Sequence, residues 1–296
     1  MKEKPFSKHQ ILANAVMIIW TLAIILPFIL LFMSSITDEN TLVANGYSFF
    51  PKKFSLASYS YIIKSGGQIL KAYGVSIGVT VVGTLLNVLL SALMAYPLSV
   101  KNLPGRNVMM FFVFFTMLFN GGIVPSYIMW TGTFHIKDTI FAQLLPNFLL
   151  SAWNVMMIRT YFTTSIPDGL YEAAEIDGAS QFTIFWKIVL PLGKPILVTM
   201  GTFAGLAYWN DWTNGLYYIV KNTGLYNVQN LLNQMVQNIQ FLTQSSNSNV
   251  TAAASTIPAT GIQMAIAFVA ILPIMLIFPS FQKYYAKGIA LGAVKG

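Results

Sequence analysis

The segment Tyr171-Glu172-Ala173-Ala174-Glu175-Ile176-Asp177-Gly178-Ala179-Ser180 places three carboxylates, small residues and a glycine within ten positions, and Ile188-Val189-Leu190-Pro191 begins ten residues after the glycine. Carboxylates interleaved with alanine suit recognition better than catalysis. Glu172, Glu175 and Asp177 give one short helix an acidic side, while Ala173 and Ala174 leave room for another protein's surface to approach closely. A surface helix whose alanines reflect only good helix propensity is the plainer alternative. A second constellation, Tyr208-Trp209-Asn210-Asp211-Trp212-Thr213-Asn214-Gly215, mixes aromatic faces, amides and a carboxylate. Such a set fits a sugar, whose C–H surfaces stack on rings and whose hydroxyls bond to amides. It also fits an aromatic belt at a membrane interface, with Asp211 among the headgroups.

Helices must position both constellations, because the chain is 55% hydrophobic and only 9% charged. An ordinary soluble domain carries roughly 25% charged residues. Six apolar stretches are long enough for helices of about 20 residues that cross a bilayer. They lie near Ala13–Ile36, Gly74–Leu98, Val108–Trp130, Thr139–Tyr161, Pro195–Val220 and Pro258–Phe281. The runs are continuous, without the alternation of barrel strands, so the fold class is an all-α membrane protein. The first stretch is too long for a signal h-region and is expected to be retained. No cysteine is present, which removes disulfides and thiolate chemistry.

The net charge of +8 is distributed by topology and not gathered on a nucleic-acid face. With the N terminus inside, the cytoplasmic segments carry Lys2, Lys4, Lys8, Lys101, Arg106, Arg159, Lys187, Lys194, Lys283, Lys287 and Lys295. Lys52, Lys53, Lys64, Lys71, Lys137 and Lys221 fall outside, mostly in one longer loop where charge orients weakly. Both termini are therefore expected in the cytoplasm, and the whole of 1–296 is expected to be one membrane domain. Thr37–Tyr73 is expected outside, with turns at Asn45-Gly46 and Phe50-Pro51. Leu231, Leu232, Met235 and Ile239 predict a short amphipathic helix in the outer segment Lys221–Ile257.

Between the fourth and fifth stretches two short helices are expected. Ser165 and Pro167 mark the start of the first, and Asp168 suits its positive end. Gly178 stands where that helix must end with positive φ. Ser180 can cap the second, whose Phe182, Phe185, Trp186 and Val189 share a stripe expected to anchor it on the membrane domain.

These residues carry a resemblance. The segment from Glu172 to Gly178, followed by Ile188, Leu190 and Pro191, resembles the EAA loop of ATP-binding-cassette import permeases, and every fixed position of that pattern is filled. The chain is most similar to the maltose-type, carbohydrate-uptake branch. Phe119-Asn120-Gly121-Gly122-Ile123-Val124-Pro125 and the ending Phe281-Gln282-Lys283-Tyr284-Tyr285-Ala286-Lys287-Gly288 are similar to segments of its oligosaccharide subset.

The resemblance implies a type I importer permease fold in the cell membrane of a prokaryote. It further implies ATPase coupling through Glu172, Ala173, Ala174, Asp177, Gly178, Ile188, Leu190 and Pro191, in a loop of about 162–194, and through a tail ending in Lys295 and Gly296. The implied partners are a second permease subunit, two cytoplasmic ATPases, an extracytoplasmic solute-binding protein and a sugar or oligosaccharide. ATP and Mg would belong to the ATPases; this chain has no GxxxxGK[ST] loop and is expected to bind no cofactor.

Polar residues follow single helix faces: Ser76, Thr80, Thr84, Asn87 and Ser91 in the second stretch, and Gln143, Asn147, Ser151 and Asn154 in the fourth. They suit either a hydrated path, with Asn147 and Asn154 joined to Tyr208 to Trp212 and Asn214, or hydrogen-bonded contacts between helices. Two other functions compete. An intramembrane enzyme would draw on His9, His135 and Asp211, yet the histidines are predicted on opposite sides. An ion-driven transporter would need ionisable groups at the midplane, where only Asp211 comes close.

Overall fold

Apolar runs this long satisfy their backbone groups internally, and the result is almost wholly helical. The computed structural model describes residues 8–64, 66–244 and 259–293. Its α-helices are α1 Lys8–Ser35, α2 Glu39–Asn45, α3 Ala57–Lys64, α4 Gly66–Ser99, α5 Arg106–Leu118, α6 Ile123–Ile128, α7 Phe141–Leu144, α8 Ala152–Ser165, α9 Asp168–Ile176, α10 Gln181–Ile184, α11 Leu190–Leu192, α12 Lys194–Asn210, α13 Thr213–Tyr218, α14 Val228–Gln244 and α15 Ala259–Ala293. Among the described residues the one β pairing is an isolated bridge between Thr37 and Phe54. Among the described residues three helices are long and apolar enough to cross a membrane, or up to five if each bent pair is one span.

Two compact units make up the chain, one of Met1–Ile69 with Leu232–Pro273 and one of Leu70–Leu231 with Ile274–Gly296. In the first, the outer segment expected as turns also holds α2 and α3. Glu39 opens α2, and its two carboxylate oxygens accept from the backbone N–H groups of Thr260 and Gly261 at 2.9 and 2.8 Å. A carboxylate at those orphan donors suits the positive end of α15. Ser35 Oγ bonds to Tyr59 OH at 2.8 Å, which fixes the end of α1 on α3.

The second unit corrects three expected spans. The third breaks after Leu118, and its halves meet at 111°. Gly122 there has φ 88°, and Asn120 Oδ1 accepts from its N–H at 2.8 Å, so a side-chain turn replaces a helical bond. The fourth stretch divides into α7 and α8, with Pro146 and Asn147 (φ 67°) between them and Ser151 capping α8. The fifth stops at Asn210 and not Val220, because Asp211 Oδ1 takes the N–H groups of Thr213 and Asn214 at 3.0 and 3.3 Å and so starts α13 anew.

The core of this unit brings Ala92, Tyr96 and Leu98 of α4 against Val155, Ile158 and Phe162 of α8, with Ile184, Phe185 and Val189 from the loop. α4 and α12 approach closely where Gly83 lies under the Tyr208 ring, leaving no room for a Cβ. Tyr208 OH then donates to the Leu144 carbonyl at 2.9 Å, so α12 is pinned to α7.

Candidate functional site

The loop folds as its residues dictate. Pro167 precedes α9 and Asp168 occupies its first turn. At the other end Gly178 has φ 77°, its N–H donates to the Glu175 carbonyl at 3.0 Å, and Ala179 N–H reaches back to Ala174 at 2.9 Å. This left-handed cap satisfies carbonyls that the last helical turn would leave bare. Ser180 Oγ accepts from Thr183 N–H at 3.2 Å and starts α10.

Three braces hold α9 and α10. Tyr96 OH donates to Gln181 Oε1 at 2.6 Å, and Gln181 Nε2 donates to Glu175 Oε1 at 2.9 Å. Lys101 pairs with Asp168 at 2.5 Å, across groups that are more than half exposed and so contribute little stability. Tyr171 stacks on Tyr96 with ring centres 6.5 Å apart, and burial pushes its phenol up to about 12. Tyr171 therefore stays neutral at any physiological pH.

Two expectations for this loop are corrected. Ala174 is buried against the protein's own core and Ala173 alone of the pair faces outward. Phe185 and Val189 anchor the second helix as expected, whereas Phe182 and Trp186 are exposed. The cause is the π-helical turn Phe185–Val189, in which Leu190 N–H bonds to the Phe185 carbonyl five residues back. The wider turn shifts the buried set to Ile184, Phe185 and Val189. It leads through α11 to Gly193, after which α12 departs at 78°.

Of the remaining loop residues, Glu172, Asp177, Gly178 and Pro191 are exposed, and Ile188 and Leu190 are half-buried. Leu170 and Ile176 are exposed beside Ala173 in steps of three, a strip that sequence reasoning missed. Its signal was two branched aliphatics, Leu170 and Ile176, each three residues from Ala173. Lys295 and Gly296 lie outside the described residues.

The second constellation proves to be a set of hydrogen-bonded breaks. Asp211 is buried, and its Oδ1 accepts from Thr213 Oγ1 at 2.7 Å besides the two backbone donors. Asn214, fully buried, donates to the Pro146 carbonyl at 3.1 Å and accepts from Asn147 at 3.2 Å. Asn154 donates to Asn87 Oδ1 at 2.7 Å, and Asn87 donates to the Phe148 carbonyl at 2.6 Å. Gln143, Asn227 and Asn230 extend the network: Asn227 Nδ2 reaches the Asp211 carbonyl at 2.6 Å, and Asn230 bonds to Gln143 and to the Trp212 carbonyl.

The buried amides thus replace backbone bonds lost where helices break, which is why they are grouped there. Tyr208 and Trp209 are buried, while Asn147, Asn210 and Trp212 keep exposed surface. Among the described residues there is no cluster of three His, Cys, Asp or Glu able to hold a metal.

Comparison with known proteins matches residues 72–291 to the family described as binding-protein-dependent transport system inner membrane component. Protein LplC of Bacillus subtilis is 36% identical over 272 residues, covering 92% of this chain and 90% of that protein. The polygalacturonan/rhamnogalacturonan transport system permease protein YtcP of the same organism is 36% identical over 296 residues, all of both chains. Among solved structures, one chain of a bacterial ABC transporter involved in import of the acidic polysaccharide alginate superposes with a TM-score of 0.79 at 26% identity, covering 96% of this chain and 100% of that one.

Proposed function

Since the chain belongs to the family of inner membrane components of binding-protein-dependent transport systems, we propose that it is the subunit through which such an importer passes an oligosaccharide. It is a multi-pass membrane permease, a transport component and not an enzyme, and works with other ABC components and a substrate-binding protein. The polysaccharides named for YtcP and for the alginate importer support a sugar chain as the solute. The finer reading has six spans in a single permease domain, both termini in the cytoplasm, a second permease as partner and two ATPases that bind ATP and Mg.

One observation carries the coupling role: α9 presents Leu170, Ala173 and Ile176 outward next to Glu172, while Tyr96, Gln181 and Gly178 hold its other side rigid. A braced helix with an exposed apolar strip can transmit displacement, because its own core fixes its position. Motion of the ATPases would enter at α9 and pass through the π turn and Gly193 into α12, where alternating access begins. Glu172, Asp177, Ile188, Leu190 and Pro191 shape that loop, and the tail at Lys295 and Gly296 would add a second contact. On the opposite side Asn147, Asn210 and Trp212 offer the exposed amide and aromatic groups a sugar would meet. Asn154, Tyr208, Trp209, Asp211 and Asn214 hold those groups in place.

Ile176→Asp and Glu172→Lys test the coupling role. Both variants should insert in the membrane normally, co-purify less with the ATPase and lose solute-stimulated hydrolysis. Wild-type coupling in both would sink the proposal.

A further inference from the structure

Arg106 and Arg159 converge on one acceptor. Arg106 Nε, at the start of α5, donates to the Leu98 carbonyl at 3.0 Å, and Arg159 Nε, on α8, donates to the same oxygen at 3.2 Å. Leu98 lies in the last turn of α4, where bare carbonyls attract cations. That need accounts for one N–H of each side chain but not for a second positive charge. The two Nε atoms are at most about 6 Å apart, a separation at which like charges repel appreciably when partly desolvated. Both arginines are half-buried. Among the described residues the ion pairs are Lys53 with Asp38 and Lys101 with Asp168, so neither guanidinium has a carboxylate within bridging distance.

The adjoining surface indicates which anion would relieve this repulsion. From Arg106, Met109 and Phe112 follow in steps of three along α5, and both are exposed, as are Val108 and Phe111. An apolar face running up α5 from Arg106 suits acyl chains, and Arg106 at the start of that helix would then stand at the headgroup layer with Arg159 beside it. Guanidinium forks match the paired oxygens of a phosphate better than ammonium groups do.

We infer that Arg106 and Arg159 form a binding site for the phosphodiester of an anionic phospholipid, whose acyl chain runs over Met109 and Phe112. The bound headgroup clamps the end of α4 and the start of α5 to the middle of α8, next to the Tyr96 brace of the α9–α10 loop. The inference rests on the chain spanning a membrane and is independent of the transported solute.

The test uses the assembled transporter in nanodiscs of phosphatidylcholine alone, with added phosphatidylglycerol, or with inorganic phosphate in place of the anionic lipid. Phosphatidylglycerol should be retained in native mass spectrometry and raise the melting temperature by a few degrees. Retention should fall about tenfold in the Arg106→Gln/Arg159→Gln double variant, each arginine contributing part of the headgroup attraction. Arg106→Lys/Arg159→Lys should retain most of the lipid, and the single glutamine variants should lie between, so the result is readable even if the double variant assembles poorly. Equal protection by inorganic phosphate in neutral discs would make this a free-anion site and overturn the lipid assignment. Unchanged lipid retention in variants that shed the ATPase would point to an acidic protein partner and overturn it as well.

Discussion

Phe162 occupies the space that any side chain at Gly193 would need. A Cβ on that glycine would stand 2.5 Å from Phe162 Cε1 and 2.9 Å from the Val189 carbonyl oxygen. Phe162 is fully buried on α8, and Gly193 is the joint between α11 and α12. Gly193→Ala should therefore destabilise by about 1–3 kcal/mol through overpacking. Phe162→Leu should recover part of the loss, so the two changes should be non-additive in a double-mutant cycle read by thermal unfolding.

Gly178 presents the opposite situation, with nothing within 4 Å of a Cβ but φ at 77°. Only the backbone resists substitution there. Gly178→Asn should be tolerated, whereas Gly178→Val should cost roughly 2 kcal/mol or more, because β-branched residues are poorest in the left-handed region. Transport should follow the same order. Equal loss in both variants would mean that the position needs space and not conformation.

Asp138 carries a pH signature. Its Oδ1 accepts from the N–H groups of Val220, Lys221 and Asn222 at 2.7, 2.7 and 3.1 Å. Those bonds, foremost Lys221 and Asn222, hold its carboxyl below the usual carboxylate range. A depressed carboxylate contributes stability that is complete above the unfolded value, about 3.9, and is lost as pH falls through the folded value. Asp138→Asn should therefore unfold earlier than wild type at neutral pH, and the gap should close progressively below about pH 4.

Asn87 and Asn154 form a buried pair, and Asn87 also satisfies Phe148. Removing either amide leaves a partner bare, so Asn87→Ala and Asn154→Ala should each cost about 1–3 kcal/mol. The double variant should cost clearly less than their sum, because the orphaned amide disappears with the second change. Additive losses would separate the two residues energetically.

A cysteine-free chain permits a direct topology test. Asn102→Cys and Gln181→Cys should resist an impermeant thiol reagent in intact cells, and Lys221→Cys should react, since all three native residues are exposed. Labelling at Gln181→Cys from outside would reverse the proposed orientation and remove the α9 surface from the ATPases.

Membrane class and the punctuation of the α9–α10 loop could be read from sequence alone. Long apolar runs have one solution in lipid, and Pro167, Gly178 and Ser180 each act within one helical turn of themselves. Family membership was legible because Glu172, Gly178, Leu190 and Pro191 stand at the fixed spacing of the family's loop motif. The breaks near Asn120, Asn147 and Asp211 were not legible. Short polar interruptions such as Asn120-Gly121 and Asn210-Asp211 also suit intact spans that line a polar path, and a helix can stop in an apolar stretch only when its freed backbone groups find partners. Those partners come from far along the chain: Asn214 for Pro146, Asn87 for Phe148 and Asn227 for Asp211. Local pattern could say that amides line a helix face, but only tertiary structure decides whether they meet a solute or each other. The same holds for Ala174 and Phe182, whose burial reversed because a π turn and the α4–α8 core, not helical periodicity, set which side faces inward.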